Sequence, residues 1–273
     1  MEGAREFGHI SEEFRVITGS LLTEVIAAGN VALALQKGNL QVEVKSSKDD
    51  LVTNADKIVS NKVQTALAAQ FQGIKFVDEE SQVTHINAGH LDEGIVAIID
   101  PIDGTRNFYE GNPNWGVSVG IMEDGVLVAG IIYQPQTQTL YYAEKGKGAY
   151  MNGQLLHVAN NGFPHSVMYS FPYASDANEY SATQAVLDRM QAKGIEIKRL
   201  GSQVIEVMQV AQGKADAFFH LKTKPWDMAA ALCILLEAGG SVYTPQGEPY
   251  RLFGESVLMT SGSFAVSSLT GSM

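Results

Sequence analysis

The chain has 273 residues, an apolar fraction of 45%, 19 basic and 30 acidic side chains, and a formal net charge of −11. That charge disfavours nucleic acid and anionic membrane as main partners, and it admits an anionic substrate only where bound cations reverse the local sign. The single cysteine, Cys233, excludes an internal disulfide and a cysteine-built zinc site.

The length permits one large domain or two modest ones sharing a face. No run of about 18 purely apolar residues occurs, so no transmembrane helix is expected. The opening MEGAREFGHISEEF lacks a charged-then-apolar signal layout. A cytoplasmic, soluble protein is the expectation.

Residues 11–37 place Phe14, Ile17, Leu21, Val25, Ala28, Ala32 and Leu35 at three- and four-residue steps, which predicts one helix opened by Ser11 and closed by Gly38. VEVKSS at 42–47 is short and extended. A second helix begins near Thr53 and Asn54 and turns Ile58, Val59, Val63, Leu67 and Ala68 inward. Asp56 falls in its first turn, where a carboxylate complements the helix dipole or, alternatively, orients water around a metal. Ile74, Phe76 and Val77 predict a strand that ends on three adjacent acids, Asp78, Glu79 and Glu80. Such crowding is relieved by solvent in a loop or by a cation. Residues 84–93 are polar and read as a loop.

The stretch IVAIIDPIDGTRNF at 95–108 organises the reading. Its branched apolar start suits a buried strand, which Asp100 ends. A lone carboxylate there is penalised without a partner. Asp103 follows across the Pro101–Ile102 corner, and Gly104 and Thr105 open a helical segment. Asp-Pro and Asp-Gly pairs are also ordinary turn formers. Two carboxylates suit a hard cation, while free N–H groups at a helix start suit an anion.

Short strands follow in VSVGIM, GVLVAGIIY, TLYYAEK and GAYMNG, separated by turn residues; they predict an antiparallel meander. The GKG turn lacks Walker spacing and reads as a hairpin tip. From about Gly153, strands and helices alternate, which argues a layered α/β half with a boundary near 150–155. The predicted division is 1–150, with most metal ligands, and 151–273, supplying Asp227 and the leaving-group pocket. Ser202 starts one helix there. Asp227, after Trp226, reads as the N-cap of another. Cys233 sits in the apolar pattern AALCILLEA and reads as packing.

Taken together, D-E-E-S at 78–81, D-P-I-D-G-T at 100–105, and W-D at 226–227 with a trailing E-A-G-G at 237–240 form a specific set. The chain resembles the inositol monophosphatase family, within the magnesium-dependent, lithium-sensitive phosphatase superfamily. Lys45-Ser46-Ser47, residues 50–53, residues 148–150, Asn152-Gly153 and Gly201-Ser202 extend the likeness over most of the chain. The resemblance implies a layered αβαβα sandwich of the sugar-phosphatase type and a homodimer. It implies one magnesium held by Glu79, Asp100 and the Ile102 carbonyl, and a second held by Asp100, Asp103 and Asp227. A third, weaker ion would share Glu79, and manganese could replace magnesium. Thr105 with Glu79 would position the attacking water. The N–H groups of Gly104 and Thr105 would grip the phosphate, and Asp56 and Lys45 match positions close to the site.

Oxygen-only ligands agree with magnesium or manganese rather than zinc. Two ions about 3.5–4 Å apart can stabilise both attacking and leaving oxygens, so no side-chain nucleophile is required. The chain departs from the family pattern at His220, where inositol phosphatases tend to carry Glu, and at Gln203, where they carry a small residue. Both positions lie near the leaving group. Asp78 and Ala231 each replace a common Gly. The expected activity is a magnesium-dependent phosphomonoesterase acting on a small polyol or sugar phosphate. The alternatives are a 3'(2'),5'-bisphosphate nucleotidase, a fructose-1,6-bisphosphatase, or a non-catalytic metal- or phosphate-binding regulator on the same fold.

Overall fold

The two-residue alternation after residue 115 folds into one antiparallel meander, and the elements around it stack on its two faces. The computed structural model describes residues 16–38, 40–44, 51–80, 93–162, 164–170, 177–262 and 269. The elements of the first half are α1 (Val16–Gln36), β1 (Val42–Val44), β2 (Leu51–Thr53), α2 (Asn54–Gln70), β3 (Lys75–Asp78), β4 (Ile95–Asp103), α3 (Thr105–Glu110), β5 (Gly116–Glu123), β6 (Val126–Gln134), β7 (Thr139–Glu144), β8 (Ala149–Met151) and β9 (Gln154–Leu155). The second half holds β10 (Ser166–Tyr169), α4 (Ala177–Ala192), β11 (Glu196–Lys198), α5 (Gln203–Ala211), β12 (Ala217–His220), α6 (Pro225–Glu237), β13 (Ser241–Tyr243) and β14 (Val257–Thr260).

Among the described residues there are two large sheets. One runs β3-β4-β5-β6-β7-β8-β9, parallel only between β3 and β4; the other runs β11-β10-β12-β14-β13. The chain passes from the first to the second between Leu155 and Ser166. Three apolar clusters define the layering. α1 and α2 pack on one face of the long sheet through Leu21, Val25, Val59, Val63, Ile99 and Val119. α5 and α6 fill the space between the sheets, and α4 covers the far face of the second through Val186, Leu187 and Met190. The order is therefore α, β, α, β, α, as the resemblance implies.

Several local expectations need correction. The start of the first helix, the 45–47 segment with Lys45, and residues 84–92 lie outside the described residues. In α2, Ile58 is 41% exposed and Ala68 is exposed, while Ala55, Asp56 and Ser60 face inward with Val59, Val63 and Leu67. Val59, Val63 and Leu67 face inward as expected, and the stripe is completed by Ala55, Asp56 and Ser60 in place of Ile58 and Ala68. Residues 19–36 of α1 are long and apolar enough to cross a membrane. In this fold Leu21, Leu22, Val25, Ala28 and Ala32 of that stretch are buried against α2 and the long sheet, and 33% of the stretch is buried in all. The GKG turn is a hairpin tip, and the N–H groups of Gly146 and Gly148 donate to the Glu237 carboxylate at 2.8 and 2.9 Å. Cys233 is buried in the inter-sheet core, and burial pushes its thiol up to about 12.

Candidate active site

β4 does not stop at Asp100. It continues to Asp103 across a register shift, pairing Asp100 with Ser118 and Asp103 with Gly116 on β5. Pro101 and Ile102 form the irregularity, a position that suits proline because no ladder N–H is needed there. Ile102 N–H donates to Asp100 Oδ1 at 3.1 Å, which fixes that carboxylate on the turn. The bulge re-aims the chain so that both aspartates serve one space. Gly104 then caps α3 with φ of 85°, a left-handed value available to glycine. A Cβ at Gly104 would lie 3.0 Å from Ser202 Cβ, so the α3 and α5 approaches meet here.

Asp227 comes from the other half. It is not the N-cap of α6: Lys224 holds that position, and Pro225 occupies the first turn. Asp227 lies three residues on and accepts the Lys224 N–H at 3.2 Å. Its Oδ2 also accepts from Gln203 Nε2 at 2.8 Å. Asp103 Oδ2 accepts from the Ser202 hydroxyl and from Val204 N–H at 3.1 Å, both at the start of α5. Strand β4, helix α5 and helix α6 therefore converge through side-chain bonds. Carboxylate oxygens of Asp100, Asp103 and Asp227 all lie within 4.8 Å of one another, and all three residues are buried.

Burial dominates the electrostatics. Desolvation, then the Glu79 and Asp103 charges, hold Asp100 well above the usual carboxylate range. Desolvation, then Asp103 and Glu79, do the same to Asp227. Asp103 is pushed by desolvation to about 6, against the lowering effect of the Ser202 and Val204 bonds. Glu79 is not among the three oxygens that cluster, but its charge raises Asp100, Asp103 and Asp227, so it borders the same space. Its N–H donates to Ile99 O at 3.3 Å, which ties it to the middle of β4, next to Asp100.

Asp56 sits across from them at the third position of α2. Its Oδ2 accepts from Thr53 N–H at 2.8 Å and the Thr53 hydroxyl at 2.6 Å, a reciprocal cap. Desolvation raises it to about 7, opposed first by the Thr53 bond and reinforced by Glu79. The dipole-complementing role and proximity to Glu79 thus coexist. The Thr105 hydroxyl donates to Ile102 O at 3.1 Å. Asp78 belongs elsewhere: it is buried and accepts from Ser60 Oγ, Gln64 Nε2 and Glu80 N–H, so it fixes the strand end. His220 ends β12 opposite Val257. Pleat alternation puts it on the same sheet face as Phe218, which packs among α5 and α6.

The donor set fits a hard divalent cation. Three buried carboxylates this close are costly as anions without compensation. Among the described residues, Asp56 Oδ1 and Gln203 Oε1 are buried with no hydrogen-bond partner, as expected of atoms that would face ordered ligands. Sequence reasoning missed three residues around this space. Glu206 is a charged residue inside the apolar run VIEVMQV, which was a legible signal. Asn107 and Ser118 carried none in a single sequence.

The layered fold and the carboxylate cluster accompany a family match that sets the class, a hydrolase acting on phosphoric monoesters. The sequence profile described as "Inositol monophosphatase family" matches residues 15–271, and the chain belongs to that family. It is 35% identical over 221 residues to inositol-1-monophosphatase of Bacillus subtilis (strain 168), covering 81% of this chain and 82% of that one. It is 30% identical to the fructose-1,6-bisphosphatase/inositol-1-monophosphatase of Thermotoga maritima over 81% of this chain and 82% of that one. The crystal structure of extragenic suppressor protein suhB from Bartonella henselae superposes with a TM-score of 0.81 at 26% identity, covering 90% of this chain and 94% of that one.

Proposed function

We propose that the protein hydrolyses a small polyol or sugar phosphate, using divalent ions, with magnesium the physiological choice. The observation that carries this reading is the meeting of Asp100, Asp103 and Asp227 from β4 and α6 within 4.8 Å. In this reading Glu79, Asp100 and the Ile102 carbonyl would hold one ion, Asp100, Asp103 and Asp227 would hold a second, and a third would share Glu79. Bound there, the ions would supply Lewis acidity that eases deprotonation of the attacking water and neutralises the departing oxygen.

The chain's own residues do the rest. Glu79 and the Thr105 hydroxyl orient the water for in-line attack. The N–H groups of Gly104 and Thr105 hold phosphate oxygens. Asp56 holds the water network through its free oxygen. Gln203 and His220 border the leaving group and select it. The N-terminal half, 1–150, carries most ligands, and the C-terminal half, 151–273, brings Asp227 and the selecting residues; the active unit is a homodimer in the cytoplasm, and lithium inhibits it. The bifunctional name of the Thermotoga maritima relative supports a second substrate, a sugar bisphosphate, in the same site.

The test is phosphate release from a panel of phosphomonoesters by purified protein, with magnesium or with chelator. Magnesium-dependent turnover of polyol or sugar phosphates is the expected result. No turnover of any ester, with intact magnesium binding, would favour the non-catalytic regulator.

A further inference from the structure

Glu206 lies wholly buried on α5, among Val204, Ile205, Val207 and Met208. A carboxyl in such a place needs a use, because its burial is costly. Its Oε1 accepts two backbone N–H groups, from Leu200 at 2.7 Å and Gly201 at 2.9 Å. The segment they belong to is held from its other side as well. Asn107 of α3 donates from Nδ2 to Leu200 O at 2.8 Å and to Asn114 O at 2.6 Å. The next residue, Ser202, donates its hydroxyl to Asp103 and also accepts from Ile205 N–H at 3.4 Å. Residues 200–202 thus form a short strap, tethered by Glu206 from α5 and by Asn107 from α3, whose end aims a hydroxyl at one carboxylate of the site.

We propose that Glu206 is a positioning residue for divalent-ion binding, acting through the 200–202 strap on Asp103. The inference rests on the reading of Asp103 as an ion ligand. The hydrogen bonds of Glu206 go to backbone N–H groups, so it is assigned no place among the ion ligands. Its effect passes through two backbone N–H groups, then Ser202 Oγ, then Asp103 Oδ2. Two features favour a positioning role over plain packing. An apolar residue of equal size would fill the same volume without accepting any bond. The bonds also terminate on the segment that reaches the site rather than on α5 itself.

The experiment measures magnesium affinity by titration calorimetry on purified protein without substrate, alongside melting temperature. Glu206→Met keeps the volume and removes the acceptor; Glu206→Gln removes the charge and keeps an acceptor oxygen. The expected loss for Glu206→Met is about tenfold in magnesium affinity, the usual scale for residues that orient ligands, with Glu206→Gln within about threefold of wild type. Ser202→Ala should lose a similar factor, and Ser202→Ala combined with Glu206→Met should be no worse than the weaker single variant, because both act on one path. Asn107→Ala, which cuts the strap's other tether, should weaken magnesium binding several-fold and remains informative if Glu206→Met does not fold. Wild-type magnesium affinity in Glu206→Met or in Asn107→Ala overturns the proposal, as do losses that multiply in the double variant. Failure of wild-type protein to bind magnesium would instead overturn the reading of the site itself.

Discussion

Gln203 Nε2 donates to Asp227 Oδ2 at 2.8 Å, joining the first residue of α5 to the first turn of α6. The other amide atom, Oε1, is buried with no partner among the described residues. One side chain therefore orients the Asp227 carboxylate and offers an acceptor to whatever lies beside it. Replacing it should separate these two effects.

Gln203→Ala is expected to raise the magnesium concentration for half-maximal rate by about tenfold, as loss of a ligand-orienting bond commonly does. It should also alter the ranking of phosphomonoesters in a substrate panel, since the proposed function puts the leaving alcohol beside Gln203. Unchanged magnesium dependence together with an unchanged ranking would show that the amide serves only the α5–α6 contact.

Asp100→Asn tests the bridging assignment. Asparagine keeps the shape and the Ile102 N–H acceptor but cannot share an anionic carboxylate between two cations. A loss of more than about a hundredfold in kcat is expected from removing the shared ligand. Without ions the same variant should melt at or above wild type, because it takes one ionisable group out of a crowded set of buried carboxyls. Near-normal turnover would refute bridging.

How far the sequence alone reached is visible in these residues. The layering was legible because alternation with period two and apolar steps of three and four both report burial directly. The acidic residues were legible only as a set. Asp227 was misplaced by three positions because Pro225 and Trp226 already belong to the helix, and a carboxylate at the third helical position reaches back to cap it just as an N-cap reaches forward. The continuation of β4 to Asp103 was hidden, since a bulge at Pro101 depends on its partner strand. Ile58 and Val59 read alike by composition, and only the packing of α2 on the sheet distinguishes them. Asn107 bonds to the Leu200 carbonyl, 93 residues along the chain, which no local pattern encodes, whereas Glu206 bonds to backbone only five and six residues before it.

The raised carboxyls make stability depend on pH with a definite sign. Asp56 moves from its usual 3.8 to about 7 and Glu206 from 4.5 to about 8, desolvation leading in both. Between the unfolded and folded values the folded chain holds more protons, so stability falls as pH rises through roughly 4 to 8. In chelator, the melting temperature should therefore be higher at pH 5 than at pH 8, by several degrees. Saturating magnesium should restore stability at pH 8, through mass action on the folded state. A melting temperature in chelator that climbs between pH 5 and 8 would mean the carboxyls are compensated by something other than ions.

The long sheet delivers α6 to the site through two glycines. A Cβ on Gly120 would lie 2.5 Å from Ala229 Cβ, and one on Gly130 would lie 2.5 Å from the Ala230 carbonyl. Strands β5 and β6 thus touch the helix at its backbone, and the contact sets the distance from Asp227 to Asp100 on neighbouring β4. Gly120→Ala cannot be absorbed by a flexible side chain, because both neighbours are fixed. Overpacking of this kind costs about 1–3 kcal/mol. The variant should melt a few degrees lower, and its magnesium affinity should drop more than that of Glu237→Ala. Glu237→Ala also destabilises the fold, by freeing the Gly146 and Gly148 hairpin tip at the other end of α6, far along the helix from Asp227. If both variants weaken magnesium binding equally for equal losses of stability, the helix–sheet spacing does not govern the site.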